Sequence, residues 1–237
     1  MSKCLVALFG APEPTGLLDR LRIHGVAVTL LEITPDVEFP TSLPSGVAVV
    51  GGPVSPYDDR VLPYGRVGAF LATAVAREVP TLGIGGGAHL LAVALGARPG
   101  WPTSAVTPGL HMLRRTAQGA DDPLFRHMAP EAQWLEFSYL SLTDLPVGAE
   151  VLAVDTEGQA QAARFGPGAW GLQGHPELGA AAVAACVEAR PLHPLLDEAA
   201  LASVERAMPH LDAISASWNP VFDAYAALVA STPAPTG

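Results

Sequence analysis

The residues best placed to do chemistry sit in PTLGIGGGAHLL, residues 80–91, where an apolar run meets three glycines and passes at once into a helix-like run. A strand turning this sharply into a helix is how an active-site elbow is built, because the bend lifts its central residue clear of the sheet. Here that residue is Gly85, which carries no side chain to attack with. A residue with a Cβ in such a bend bears on the order of 1–3 kcal/mol of backbone strain, and glycine removes it. The turn still offers the N–H groups of Gly86, Gly87 and Ala88 at a helix start. Unsatisfied donors and the helix dipole favour an anion at such a place.

An elbow needs strands and helices to hold it, and the flanking sequence supplies them. CLVALF (4–9), VAVTLLEI (26–33), GVAVV (46–50) and PTLGI (80–84) are apolar runs bounded by Gly, Pro or polar turns, as buried parallel strands are. Between them LLDRLRIHG and GRVGAFLATAVAR read as helices, and AHLLAVALG follows the glycine turn. Strands alternating with helices predict an α/β fold, a doubly wound and mostly parallel sheet covered on both faces. From about 100 to 172 short runs such as HMLRRT, AQWLEFSYLSL, EVLAVD and QAARFG suit a strand-rich excursion. WGLQGHPE reads as one more strand ending in a loop, with GAAAVAACVEAR as the helix after it. Beyond Pro191 two amphipathic helical stretches follow, then a frayed tail. We therefore expect one domain over 1–190 and a helical extension over 191–237. Trp218, Phe222 and Tyr225 fall at helical spacing there, a stripe expected to be core, so the extension should cover one side of the sheet rather than present a face to a second subunit.

Composition narrows the partners. The 237 residues carry a formal charge of −10 and 49% hydrophobic residues, with Lys3 the only lysine. That charge repels phosphate backbones and anionic lipid, so neither nucleic acid nor membrane is an expected partner. The Arg, Ala, Gly and Pro bias points to a GC-rich genome more than to any activity. Two cysteines, Cys4 and Cys186, are too few for a disulfide framework or zinc motif and suit a reducing cytoplasm. Both read as small buried hydrophobes on elements not aimed at the elbow. The apolar start reads as the first strand rather than a signal peptide, and no run approaches a membrane span.

Three segments in order, VAVVGGPVSPYDD, PTLGIGGGAHLL and GLQGHPE, resemble the class I glutamine amidotransferase family over about residues 4–190. They match its Gly-Gly-Pro-x-Ser loop, its Gly-Ile-Cys-x-Gly-x-Gln-Leu-Leu elbow and its Gly-x-Gln-x-His-Pro-Glu segment. DLPVGAEVLAV resembles the stretch leading toward the family's His. In that family a thiolate attacks the glutamine side-chain amide, a His oriented by a Glu handles the proton, and backbone N–H groups hold the oxyanion. The resemblance makes His175 the base, Glu177 its partner, Gly52 and Gly86 the oxyanion donors, and Gly85 the vacant nucleophile position. The family's pocket Gln becomes His89, and its Ser-His pair falls on Phe137 and Ser138.

With attack and recognition both altered, the resemblance implies a non-hydrolytic member. Its pocket, bounded by Gly52, Gly85, Gly86, Gly87, His89 and His175, either binds a small carboxylate-type ligand or survives as a turn holding water. A synthetase-type subunit or a second copy are the protein partners it suggests. Two other classes stay open: a hydrolase in which His175 activates water, and a purely structural subunit. His89, His175 and Glu177 could ligate zinc or iron, but their spacing matches no metal motif, so no metal or other cofactor is expected. His111, His127, His193 and His210 lack partner spacing and read as surface or capping residues.

Overall fold

The computed structural model describes residues 1–52, 63–98, 108–136, 141–188 and 198–235. Phe137, Ser138, His193 and the segment VSPYDD lie outside the described residues. In chain order the elements are β1 (Lys3–Phe9), α1 (Thr15–Ile23), β2 (Ala27–Glu32), β3 (Gly46–Gly51), α2 (Tyr64–Ala76), β4 (Thr81–Gly85) and α3 (Gly86–Ala94). Then come β5 (Gly109–Arg115), α4 (Ala117–Asp121), β6 (Glu131–Glu136), β7 (Glu150–Val154), β8 (Ala160–Gly166), β9 (Ala169–Leu172) and α5 (Ala180–Glu188). The chain closes with α6 (Glu198–Ala207), α7 (Leu211–Ser217) and α8 (Asn219–Ser231).

Among the described residues one sheet carries nine strands in the order β2-β1-β3-β4-β9-β8-β7-β5-β6. The first four strands and β9 run parallel, as expected for strands linked by helical crossovers, while β8, β7, β5 and β6 add antiparallel. This is the mixed α/β architecture the strand and helix alternation predicts. Every residue of β3, β4 and β9 is buried, which matches their continuous apolar reading.

Two apolar layers form on the faces of the sheet. On one, Val47, Val49 and Ala7 meet Val67 and Leu71 of α2 and Leu90 and Leu91 of α3. On the other, Cys4, Val6, Ala48 and Ile84 meet Leu17, Leu18 and Leu21 of α1 together with Trp218, Phe222 and Tyr225. The C-terminal aromatic stripe is thus core. Tyr225 donates its hydroxyl to the Val47 carbonyl at 2.7 Å, seating α8 against β3. Trp218 stacks on Trp134 of β6 with centroids 5.4 Å apart, and its indole N–H donates to the Gln133 carbonyl at 2.8 Å. α8 therefore shares the core of the sheet it covers, while α6 and the start of α7 pack in a separate apolar cluster with Leu135 of β6.

The topology explains where a site can form. β4 lies mid-sheet, and the loop after β9, its parallel neighbour, emerges at the same end. Residues 85–89 and 173–177 are thereby brought together although about ninety positions separate them.

Candidate active site at the β4–α3 bend

Gly85 ends β4 with φ 58° and ψ −126°, a backbone conformation that essentially only glycine adopts without strain. The helix begins at Gly86, so the glycine triplet divides into a bend and a first turn. Gly87 allows close approach: a Cβ there would run into the Val49 carbonyl oxygen of the adjacent strand. This lets α3 lie directly on the sheet.

His175 is fixed on both sides. Its backbone N–H donates to the Leu135 carbonyl at 2.7 Å, a bridge from the β9 loop to β6. Its ring Nδ1 donates to Glu177 Oε1 at 2.8 Å, and Glu177 is fully buried. The Glu177 carbonyl accepts from Gly16 N–H at 3.3 Å, tying the loop to the first turn of α1. Burial alone would lower the His175 pKa. The charge and hydrogen bond of Glu177, with Glu136 beyond it, more than reverse that and hold it above its ordinary value.

The other edge of the imidazole, Cε1 and Nε2, lies where a side chain on Gly85 would begin: an ideal Cβ built on Gly85 would overlap both atoms. The His-Glu arrangement anticipated from the sequence is present, and its ring fills the place a nucleophile's side chain would need. The Gly51 carbonyl crowds the same space, 2.7 Å from that Cβ position.

The expected anion pocket is built differently from the reading of the sequence. Gly52 N–H already donates to the Phe9 carbonyl at 2.9 Å. Its carbonyl oxygen faces Gly86, where an added Cβ would lie 2.6 Å from it. Gly85, Gly86, Gly87 and His89 are all buried. His89 is turned to Gln173 rather than toward an open pocket. Gln173 Oε1 accepts from Leu142 N–H at 3.1 Å, which identifies it as the amide oxygen, so His89 Nε2 is the donor in the 2.9 Å contact between them. Burial drives the His89 pKa down, the Gln173 hydrogen bond opposes it and His175 pushes further down, leaving about 4. His89 is a neutral imidazole at any ordinary pH.

That depression has a measurable consequence. The unfolded chain protonates His89 near 6.5 and the folded chain only near 4. Stability is therefore lost as pH falls through that window, by about 3 kcal/mol once pH is below 4. His175 has the opposite sign: its contribution is complete below about 6.5 and fades as pH rises through its higher folded value. His89→Gln keeps an N–H donor for Gln173. The natural chain minus this variant, followed by urea unfolding, should lose about 3 kcal/mol between pH 6.5 and 4. A flat difference would remove the buried neutral imidazole from the account.

Gln173 and Glu136 were not singled out from the sequence. Gln173 stood inside GLQGHPE, but nothing local announced that its amide orients His89. Glu136 lies one residue before the pair expected at Phe137 and Ser138, and its influence on His175 arises only because β6 meets the β9 loop.

Neither thiol joins this site. Cys4 lies in β1 against the Tyr225 hydroxyl at 3.8 Å, and burial pushes its pKa up to about 12. Cys186 lies on α5, and burial together with the Glu177 charge raises its pKa. Among the described residues no group of three or more His, Cys, Asp or Glu is arranged to hold a metal ion. His175 Nδ1 and His89 Nε2 are both committed to side-chain oxygens. Among the described residues no helix is long and apolar enough to cross a membrane.

Comparison with known proteins agrees with the geometry. The family model Glutamine amidotransferase class-I matches residues 15–182. Among solved structures, a glutamine amido transferase from Methylobacillus flagellatus superposes with TM-score 0.82 at 20% identity, covering 100% of this chain and 98% of its own. A glutamine amidotransferase from Thermotoga maritima gives TM-score 0.76 at 20% identity over 94% and 98%. A putative GMP synthase subunit from Thermoplasma acidophilum gives 0.67 at 18% over 98% and 95%. No curated protein sequence matches significantly. With the family model covering well over half its length and the elbow and His-Glu loop meeting at one end of the sheet, the chain belongs to the class I glutamine amidotransferase family.

Proposed function

We propose that this chain is a non-hydrolytic class I glutamine amidotransferase domain that works by binding rather than by releasing ammonia. The observation that carries the reading is the imidazole of His175 lying in the side-chain space of Gly85. Covalent attack on an amide needs an atom at the bend and a base beside it. This chain has the base, its orienting carboxylate and no attacking atom. Loss of glutamine recognition accompanies loss of attack, because His89 stands where the family carries a pocket Gln and is spent on Gln173.

The Thermoplasma neighbour is described as a subunit of a putative GMP synthase. A role as the binding subunit of a synthetase-type partner keeps the fold useful without chemistry at Gly85, and it is the partner reading we adopt. A carboxylate at the α3 N-terminus is the alternative occupant. It would have to displace the Phe9 carbonyl from Gly52 N–H and lie near the Glu177 carboxylate, so we place it second.

The test is ammonia release from glutamine by the natural chain and by Gly85→Cys. Both should stay at the uncatalysed rate, with the variant blocked by the ring in its path. Turnover by the natural chain that disappears in His175→Ala would establish the water-activating hydrolase instead. Efficient turnover by Gly85→Cys would show that recognition had survived.

A further inference from the structure

The two outer edges of the sheet are treated differently. At β6 the chain covers its own edge: the Gln133 carbonyl accepts from the Trp218 indole N–H at 2.8 Å, and the Leu135 carbonyl accepts from the His175 N–H at 2.7 Å. At the opposite edge β2 pairs only with β1 among the described residues.

The β1–β2 ladder fixes which groups are left over. Ala27 N–H donates to the Ser2 carbonyl at 3.0 Å and Ile33 N–H to the Leu8 carbonyl at 2.7 Å, so the odd-numbered residues of the strand turn toward β1. Successive residues of a strand alternate in direction, which sends both the N–H and the C=O of Val28, Leu30 and Glu32 to the open side. None of these groups finds a partner there among the described residues. Such an edge is a template for another strand, and proteins that must avoid pairing place Lys, Pro or a bulge on it. AVTLLE has neither Lys nor Pro, its register with β1 is unbroken, and Leu30 is 41% exposed.

The chemistry of the strand says which strand it accepts. Residues directly opposite in an antiparallel pair share a face, so a two-fold axis at Leu30 brings the two Leu30 side chains together, with Val28 opposite Glu32 and Thr29 opposite Leu31. Val28, Leu30 and Glu32 then exchange their outward N–H and C=O groups with the other copy. Charge favours the same direction. Arg22, exposed in the last turn of α1, stands at the start of β2, and Glu32 is exposed at its end. α1 lies on the face that Val28 joins, and Glu32 shares that face by its even-numbered place in the strand. Antiparallel pairing brings Arg22 of each copy to the end that carries Glu32 of the other. Its present partner, exposed Asp19 at 3.3 Å, is a weak competitor.

We propose that β2 is a homodimer interface, at which two copies of this chain join their sheets antiparallel about a two-fold axis at Leu30 into one continuous sheet. Six residues a side make a small contact, so the dimer belongs to the weak, reversible class. The edge lies three strands from β4, and the pairing does not depend on whether glutamine is hydrolysed.

The test is sedimentation velocity over a dilution series of the natural chain, of Leu30→Lys, of Leu30→Glu, and of the two variants mixed in equal amounts. The natural chain should pass reversibly from dimer to monomer on dilution. Because the axis sets this position against itself, each variant alone confronts like charges and should dimerise at least about tenfold more weakly. The mixture sets Lys against Glu and should recover the dimer. A natural chain that is monomeric throughout, a dimer undiminished in both variants, or a mixture no tighter than either variant alone would overturn the interface. Hydrogen exchange on the natural chain needs no variant to fold. The amides of Val28, Leu30 and Glu32 should slow as the dimer forms while those of Thr29 and Leu31 stay protected throughout, and exchange of the first three that ignores concentration would equally refute the pairing.

Discussion

Gly85→Ala should cost this protein about 2–6 kcal/mol of stability. Two terms add. A Cβ at φ 58° carries about 1–3 kcal/mol of backbone strain. Forcing the His175 ring out of its packed place adds a further overpacking cost of about 1–3 kcal/mol. For a chain of this size each kcal/mol lowers Tm by about 2–4 °C. The second term can be isolated. Adding His175→Ala to Gly85→Ala removes the overlap with the ring but neither the strain nor the approach to the Gly51 carbonyl, so the two substitutions should couple by about 1–3 kcal/mol in a double-mutant cycle. If Gly85→Ala proved as stable as the natural chain, the left-handed bend and the ring against it would both be wrong.

Removing the orienting carboxylate should be comparably damaging. Glu177 is wholly buried and its Oε1 accepts a hydrogen bond from His175 Nδ1–H, while Oε2 has no partner among the described residues. Truncating one member of a buried ion pair strands the other, at about 3–5 kcal/mol. Glu177→Ala should therefore unfold at markedly lower denaturant, most clearly below pH 6.5, where His175 is protonated in both states and the pair is fully charged. Glu177→Gln separates charge from packing. It retains an acceptor for Nδ1 and removes the charge, so burial becomes the dominant influence and the His175 pKa should drop below its ordinary value. Imidazole proton shifts followed through a pH titration report this directly. A His175 pKa unchanged by Glu177→Gln would assign the upward shift to Glu136 instead.

Much of this architecture could be read in the chain because its signals are local. β1, β3 and β4 announce themselves as apolar runs closed by glycine or proline, and the spacing of Trp218, Phe222 and Tyr225 marks the buried face of the last helices. The glycine bend was visible for the same reason: a strand, a turn and a helix are consecutive. The family resemblance then supplied His175 and Glu177, and the structure unites them with Gly85.

What escaped the sequence depends on packing between distant segments. That Gly52 spends its N–H on Phe9 follows from the β1–β3 register, where Phe9 pairs with Gly51. That His89 is held by Gln173 follows from β4 and β9 being parallel neighbours, a topological fact with no signature near either residue. The carboxylate pocket was expected because Gly52 was counted as a donor before its acceptor, the Phe9 carbonyl, was known.

The central contact is an imidazole lodged against a glycine, and nuclear Overhauser spectroscopy reads it with no enzyme assay intervening. In protein labelled at histidine and glycine, the His175 Hε1 proton should show a strong cross-peak to the Gly85 α-protons, persisting when glutamine is added in excess. No cross-peak, with His175 Hε1 instead exchanging magnetisation with water, would mean an open bend able to admit a substrate, and the occluded site that carries the non-hydrolytic reading would be contradicted.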